Sequence, residues 1–232
     1  MTEVSALLGP SPVAAALHAR RSVRAFTDRE VTPEQLEAIL SPALRAPSGG
    51  NLQPWHIHVA TGLALDRLRR HIQGEMAAGR EEQAGHAVYP ASLWDPYRTR
   101  RFENGEALYR TIAIDRADKP ARLAQLAKNF QLFGAPVGLF FAIDRRMGAS
   151  QWMDLGILMQ SVMLAATDLG LATCPQAAWA NWPESLSTLL GVPDEMVVVA
   201  GMALGYEDVD HPINTLRTPR QSFDEAVTIH RD

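Results

Sequence analysis

The chain has 232 residues, 47% hydrophobic and 21% charged, with a formal charge of -4. This is enough chain to bury a substantial core, in the composition of an ordinary soluble protein. The mildly acidic balance excludes a general nucleic-acid binder, which needs a clearly basic domain. A single cysteine, Cys174, excludes an intramolecular disulfide and favours a reducing compartment. No uninterrupted apolar run approaches the roughly 18 residues of a membrane helix. The apolar stretch Val4 to Leu17 is broken by Gly9, Pro10 and Pro12 and precedes its basic residues, the reverse of a signal peptide. The expectation is a cytoplasmic protein.

In chain order, Ser11 and Pro12 form a helix start, and Val13 to Arg20 favours helix. Thr32-Pro33-Glu34-Gln35 is a capping box, followed by Leu36, Ile39, Leu40, Ala43 and Leu44 at helical spacing. Pro42 lies inside that pattern and predicts a kink or a split. Trp55, Ile57 and Val59 alternate with His56, His58 and Ala60, the period of a strand with two different faces. Leu63 to about Ala78 reads as helix. From Gly79 to Asp118 tyrosine, tryptophan, arginine and proline occur without a clear period, which marks a functional or partner-facing insertion.

Ala121 to Phe133 is predicted helical, and Val137 to Ile143 is a continuous apolar run suited to a buried central strand. Gln151 to Leu169 is a helix apolar nearly all round, which must be buried on several sides, in a core or against another subunit. Gly170 closes it. Pro183 to Leu190 is a short helix ending at Gly191, and Met196 to Leu204 is a second apolar strand. Helices outnumber scattered strands, so the predicted class is a mixed α+β layer fold, with residues 1–232 as one domain.

Two stretches carry the chemistry. Arg20-Arg21-Ser22-Val23-Arg24 puts three guanidinium groups and a hydroxyl within five residues, a set of donors suited to a phosphate. Ala46-Pro47-Ser48-Gly49-Gly50-Asn51-Leu52-Gln53-Pro54-Trp55 is a turn-rich loop whose glycines let backbone approach a ligand closely. Arg-Arg-Ser-x-Arg followed by Pro-Ser-x-x-Asn-x-Gln-Pro-Trp resembles the signature of the flavin-dependent nitroreductase family, and the Gly79 to Asp118 stretch resembles the branch of it that reduces nitrobenzoates and dinitroaromatics. The resemblance runs from about Ala14 to Phe223 and is weakest between Gly79 and Asp118.

That resemblance implies a mainly antiparallel central sheet flanked by helices, in an intertwined homodimer with flavin mononucleotide (FMN) at each subunit interface. Arg20, Arg21, Ser22 and Arg24 would take the flavin phosphate and pyrimidine edge, and Pro47, Ser48 and Asn51 would reach the flavin of the other subunit. Cys174-Pro175-Gln176-Ala177-Ala178 occupies the place where the family passes backbone near flavin N5, so Pro175, Gln176 and Ala177 carry a backbone role. Arg220, with Arg217 as a possible second, resembles the last flavin contact, and Gln131 and Lys128 match positions near the ring edge. Cys174 itself reads as a small core residue and not a nucleophile. His56 and His58 have no metal-ligand partners in the pattern.

The implied activity is reduction of nitroaromatic or other electron-poor aromatic compounds by NADPH or NADH through a two-step exchange at the flavin. No dinucleotide fingerprint is present, so the nicotinamide would bind transiently at the flavin. The 79–118 stretch would be the substrate-facing lid. Trp94, Tyr97 or Tyr109 would stack on the aromatic, and an arginine near 100 would attract a negative substituent. The rival readings are an iodotyrosine-deiodinase-like dehalogenase of phenols and a flavin-storage protein without turnover.

Overall fold

The structure, a computed structural model, describes residues 11–231; the part of the Val4 to Leu17 stretch before Ser11 lies outside them. A sheet of four strands runs in the order β1-β2-β4-β3, every neighbouring pair antiparallel. The strands are β1 (Trp55–Thr61), β2 (Val137–Asp144), β3 (Ala172–Gln176) and β4 (Met196–Gly205). β2 is buried along its length except at Asp144 because it lies between two strands and under layers on both faces. Leu139, Phe141 and Ile143 point to one apolar cluster, and Phe140 and Ala142 to the other. That is why its sequence shows no polar alternation.

The first cluster is closed by α2 (Pro33–Ala43) and α6 (Ala149–Asp168), which contribute Ile39, Leu155, Leu158 and Val162. α3 (Gly62–Ala77) and α7 (Pro183–Leu190) cover the opposite face with Leu65, Leu68, Ile72 and Leu186. α1 (Pro12–Ala19) begins at the Ser11 cap, whose hydroxyl accepts from Ala14 N at 3.3 Å. The Thr32 and Gln35 capping box forms as its spacing requires. No helix among the described residues is long and apolar enough to cross a membrane.

Four expectations change. Pro42 neither kinks nor splits α2, because the helix runs on to Ala43 and ends one residue after the proline. A proline in the last turn disturbs little, since the Leu44 amide two residues on still reaches Leu40 O at 3.0 Å. The predicted helix from Ala121 to Phe133 is instead α5 (Lys119–Ala127) followed by a 3-10 segment, Lys128–Gly134, with positive φ at Leu132 and Phe133. Burial of both side chains holds that backbone in place against its local preference. β3 was not anticipated as a strand. Pro175 obscures its pattern, and proline is tolerated there because β3 is an edge of the sheet.

The stretch from Gly79 to Asp118 contains a regular helix, α4 (Tyr97–Thr111). No residue of α4 is buried in this chain, so its sequence carries no apolar stripe and its helical period is hidden. It packs against the 3-10 turn Pro212–Thr215, while the chain ahead of it is tied down elsewhere. Glu82 accepts from the Glu184 and Ser185 amides at the start of α7, Gly85 N reaches Ala180 O at 2.8 Å, and a ring nitrogen of His86 lies 2.8 Å from Val199 O. A final short helix, α8 (Phe223–Ala226), starts at the Ser222 and Glu225 capping box.

Candidate functional site

The arginine-rich stretch leaves α1 and runs as extended backbone along the β3 edge of the sheet. Ser22 bridges Thr173, Val23 N donates to Thr173 O at 3.0 Å, and Phe26 bridges Glu207. Asn214, buried from the C-terminal side, fixes the same backbone. Its Oδ1 accepts from Arg24 N at 2.8 Å, and its Nδ2 donates to Ala25 O and Asp208 O, both at 2.9 Å. A buried amide with all three contacts satisfied locks two distant segments together. The locking role of Asn214 has no local signal in the sequence, because its three partners lie in distant segments or across a turn.

These segments open into a cleft of about 1220 Å³. It is lined by Arg20, Arg21, Ser22 and Arg24 from the first stretch, by Arg217 and Arg220 from the C-terminal stretch, and by Arg100 from α4. Six arginines face two glutamates, Glu103 and Glu225, a surplus of four positive charges in a chain of net charge -4. The arginines are gathered in one place despite the negative net charge, and a cleft of this sign concentrates anionic ligands.

The guanidinium groups are not equivalent. Arg21 gives Nη2 to both carboxylate oxygens of Glu207, so much of its fork is already committed. Arg24 Nη1 turns back to Ser22 O at 3.3 Å, and Arg220 Nη1 rests on Thr218 Oγ1 at 2.7 Å and on the Thr218 and Pro219 carbonyls. Arg217 Nη1 likewise lies on Asn214 O at 2.8 Å. The Arg20 side chain makes no hydrogen bond or ion pair among the described residues. Two polar atoms with a hydrogen to donate, Arg21 Nε and Thr173 Oγ1 of the residue bridged to Ser22, are buried beside this wall without partners. Guanidinium and hydroxyl donors with orphaned polar atoms next to them fit a phosphate-bearing ligand such as FMN.

The segment beyond Cys174 is β3 itself, continuing into the 3-10 turn Ala177–Asn181. Pro175 has no amide hydrogen, so of the three backbone positions only Gln176 and Ala177 can donate. The Gln176 side chain is held inward, its Nε2 donating to Asn129 O at 2.7 Å. Gln131 sits in the Lys128–Gly134 segment and spends its amide on Arg69 O at 3.4 Å, and Lys128 is exposed; neither lines the cleft.

Pro47, Ser48 and Asn51 are not brought to the cleft within this chain. Their loop is shaped by positive φ at Gly50, Asn51 and Gln53, by Ser48 Oγ accepting from Gln53 N at 2.9 Å, and by the buried Asp154 carboxylate accepting from Gly49 N at 3.2 Å. The aromatic candidates are also away from the cleft lining. Trp94 and Tyr97 are exposed and meet edge to face at 5.5 Å, and Tyr109 lies under the Arg122 guanidinium at 4.2 Å.

Cys174 is fully enclosed, and burial pushes its thiol up to about 11. A neutral thiol in an apolar setting is no nucleophile. A thiol-specific reagent at pH 8 is expected to leave the native protein unmodified and to label one cysteine after denaturation. Because the folded state holds this proton more tightly than the unfolded chain, Cys174 also takes stability away as pH rises from about 9 toward 11. Among the described residues no cluster of three or more histidine, cysteine and carboxylate groups is placed to hold a metal ion.

Residues 17–206 match the family model described as the nitroreductase family. The chain is 37% identical over 210 residues to a 4-nitrobenzoate reductase of Pseudomonas putida, covering 89% of this chain and 90% of that protein. It is 37% identical over 214 residues to a nitrobenzene nitroreductase of Ectopseudomonas oleovorans, with coverage of 90% and 92%. Among solved structures it matches the FMN and NADPH-dependent nitroreductase NfnB from Sphigopyxis sp. strain HMH with a TM-score of 0.91 and 42% identity, covering 95% of this chain and 99% of that one. The FMN-dependent nitroreductase NfnB from Mycobacterium smegmatis, in complex with NADPH, matches with a TM-score of 0.90 and 30% identity over 95% and 98% of the chains.

Proposed function

The chain belongs to the nitroreductase family, and from that premise we propose that it is an FMN-dependent oxidoreductase that uses NAD(P)H to reduce nitroaromatic compounds. The observation that carries this reading is the cleft itself: six arginines from three separated segments, converging in a chain whose structural relatives are FMN-dependent nitroreductases. When bound, the flavin supplies the hydride chemistry between nicotinamide and acceptor. This chain then has to bind, orient and shield, and no side-chain acid or base is required to break a bond.

Arg20, Ser22, Arg24 and Arg220 hold the phosphate, with Arg21 kept in place by Glu207 and contributing its remaining N–H groups. The amides of Gln176 and Ala177 are the donors offered to the ring, and the stiff β3 edge sets their position.

A second copy of the chain completes the site by supplying Pro47, Ser48 and Asn51, which a single chain leaves away from its own cleft. The outer face of α6 supports that assembly: Met153 is 66% exposed and Ile157 41%, on a helix whose Leu155, Leu158 and Val162 are buried in the core. The chain acts as one domain, in which residues 79–118 form the lid. Trp94, Tyr97 and Tyr109 serve as its aromatic contacts, the first two being free to meet a ligand or the second copy.

The test is the visible spectrum of the purified protein under anaerobic conditions. A bound flavin spectrum is expected that loses its absorbance on adding NADPH or NADH and regains it on adding 4-nitrobenzoate. A flavin that no nicotinamide bleaches would mean storage without turnover, and protein that cannot be loaded with FMN would overturn the reading.

A further inference from the structure

The lid helix α4 and its flanks carry many arginines, and most are already engaged. Arg98 pairs with Asp95, Arg101 lies over the Tyr89 ring at 4.4 Å, Arg116 over Phe102 at 5.0 Å, and Arg122 is held by Glu106 and stacks on Tyr109. Arg100 differs from these on two counts. Its side chain makes no hydrogen bond, ion pair or aromatic stacking contact among the described residues, and it alone of these arginines lines the basic cleft. The two acids beside it do not neutralise the cleft. Glu225 caps α8 by accepting from Ser222 N at 2.8 Å and keeps its charge, so with Glu103 it sets two negative charges against six positive ones.

The charge present exceeds what one phosphate needs. The cleft has a surplus of four positive charges, and the pairing of Arg21 with Glu207, which lies outside the lining, reduces that to three. A phosphate monoester brings about -1.5 to -2 at pH 7. About one positive charge is left over, and Arg100 is the guanidinium that comes from a separate wall, apart from the Arg20–Arg24 and Arg217–Arg220 stretches.

We propose that Arg100 reads the charge of the ligands that exchange in this cleft, holding an anionic group, carboxylate or phosphate, on whichever of them carries it. The inference rests on the flavin reading above and deepens it. Two sources share this chemistry: the carboxylate of a nitrobenzoate acceptor, and the 2′-phosphate that distinguishes NADPH from NADH. The relatives leave the choice open, since a nitrobenzoate reductase and a nitrobenzene nitroreductase are each 37% identical to the chain. Overall similarity therefore does not encode this preference, and a single residue in the cleft wall is able to.

The experiment uses the FMN-loaded protein, wild type and Arg100→Ala, and reads two preference ratios in kcat/KM: 4-nitrobenzoate over nitrobenzene with NADPH fixed, and NADPH over NADH with nitrobenzene fixed. Loss of a charge-assisted contact is expected to lower one ratio by about tenfold to a hundredfold, with Arg100→Lys recovering part of it. A fall confined to the first ratio assigns Arg100 to the acceptor carboxylate, and one confined to the second assigns it to the 2′-phosphate. Arg98→Ala, whose guanidinium is paired with Asp95, is the control for a general change in lid charge and should move neither ratio. Unchanged ratios in Arg100→Ala at full flavin content, equal shifts in Arg98→Ala, or loss of the flavin itself from Arg100→Ala would overturn the proposal. Wild-type protein that holds no FMN or reduces neither acceptor marks failure of the flavin reading, and the proposal falls with it.

Discussion

Arg20→Ala protein is expected to fold as the wild type does and to lose most of its FMN during purification. Arg20 is the C-terminal cap of α1, half-buried, and its guanidinium lines the cleft without any partner among the described residues. Removing it deletes no internal contact, so unfolding should be little changed. Loss of one charge-assisted hydrogen bond to a partly desolvated phosphate costs about 1.5 to 3 kcal/mol, ten- to a hundredfold in the dissociation constant. FMN titration together with a thermal unfolding curve on flavin-free protein separates the two effects. Arg21→Ala should behave differently, because it strands the Glu207 carboxylate, whose side chain is only 16% exposed, and so lowers stability as well. Wild-type FMN affinity in Arg20→Ala would remove the assignment of this stretch.

Trp179→Ala should produce the largest loss of stability, about 3 to 5 kcal/mol, as expected for a fully enclosed aromatic. Trp179 is 0% exposed and meets Phe140 edge to face at 4.9 Å and Phe130 at 5.6 Å. Its ring rests directly on Gly201 of β4, where an added Cβ would stand 2.4 Å from the indole. The glycine and the tryptophan therefore form one fitted pair, and Gly201→Ala should cost about 1 to 3 kcal/mol by overpacking. Placed in the Trp179→Ala background, the same alanine should cost far less, since the two sites share one space. Denaturant unfolding of both single variants and the double reads this coupling, and additive losses would show that the pair is not coupled. Because Trp179 anchors the 3-10 turn that begins at Ala177, flavin retention should fall with stability in Trp179→Ala.

The elements that could be read from residues alone were those whose physics is local or whose burial is two-sided. The Thr32 and Gln35 capping box formed because its spacing satisfies amides a few residues away. β2 announced itself as a continuous apolar run because both faces of the sheet are covered. The opposite cases fail for definite reasons. α4 buries nothing within this chain and therefore writes no stripe into its sequence. The break of α5 at Lys128–Gly134 is enforced by burial of Leu132 and Phe133, against their own conformational preference. β3 contains a proline that only an edge position tolerates, and edge position belongs to the sheet and not to the strand.

The site divides along the same line. Guanidinium and hydroxyl chemistry is a property of side chains, so Arg20, Arg21, Ser22 and Arg24 could be read as candidate anion ligands from type and spacing, Arg217 and Arg220 joined them through the family resemblance, and the sequence by itself determined the family. Which groups stay available is set by neighbours distant in the chain. Glu207 occupies Arg21, Asn214 locks the Arg24 and Ala25 backbone, and Arg69 takes the amide of Gln131. Only the tertiary structure decided these pairings, and it also singled out Arg100 among the lid arginines, because charge pairing depends on distances that folding sets and sequence separation does not record.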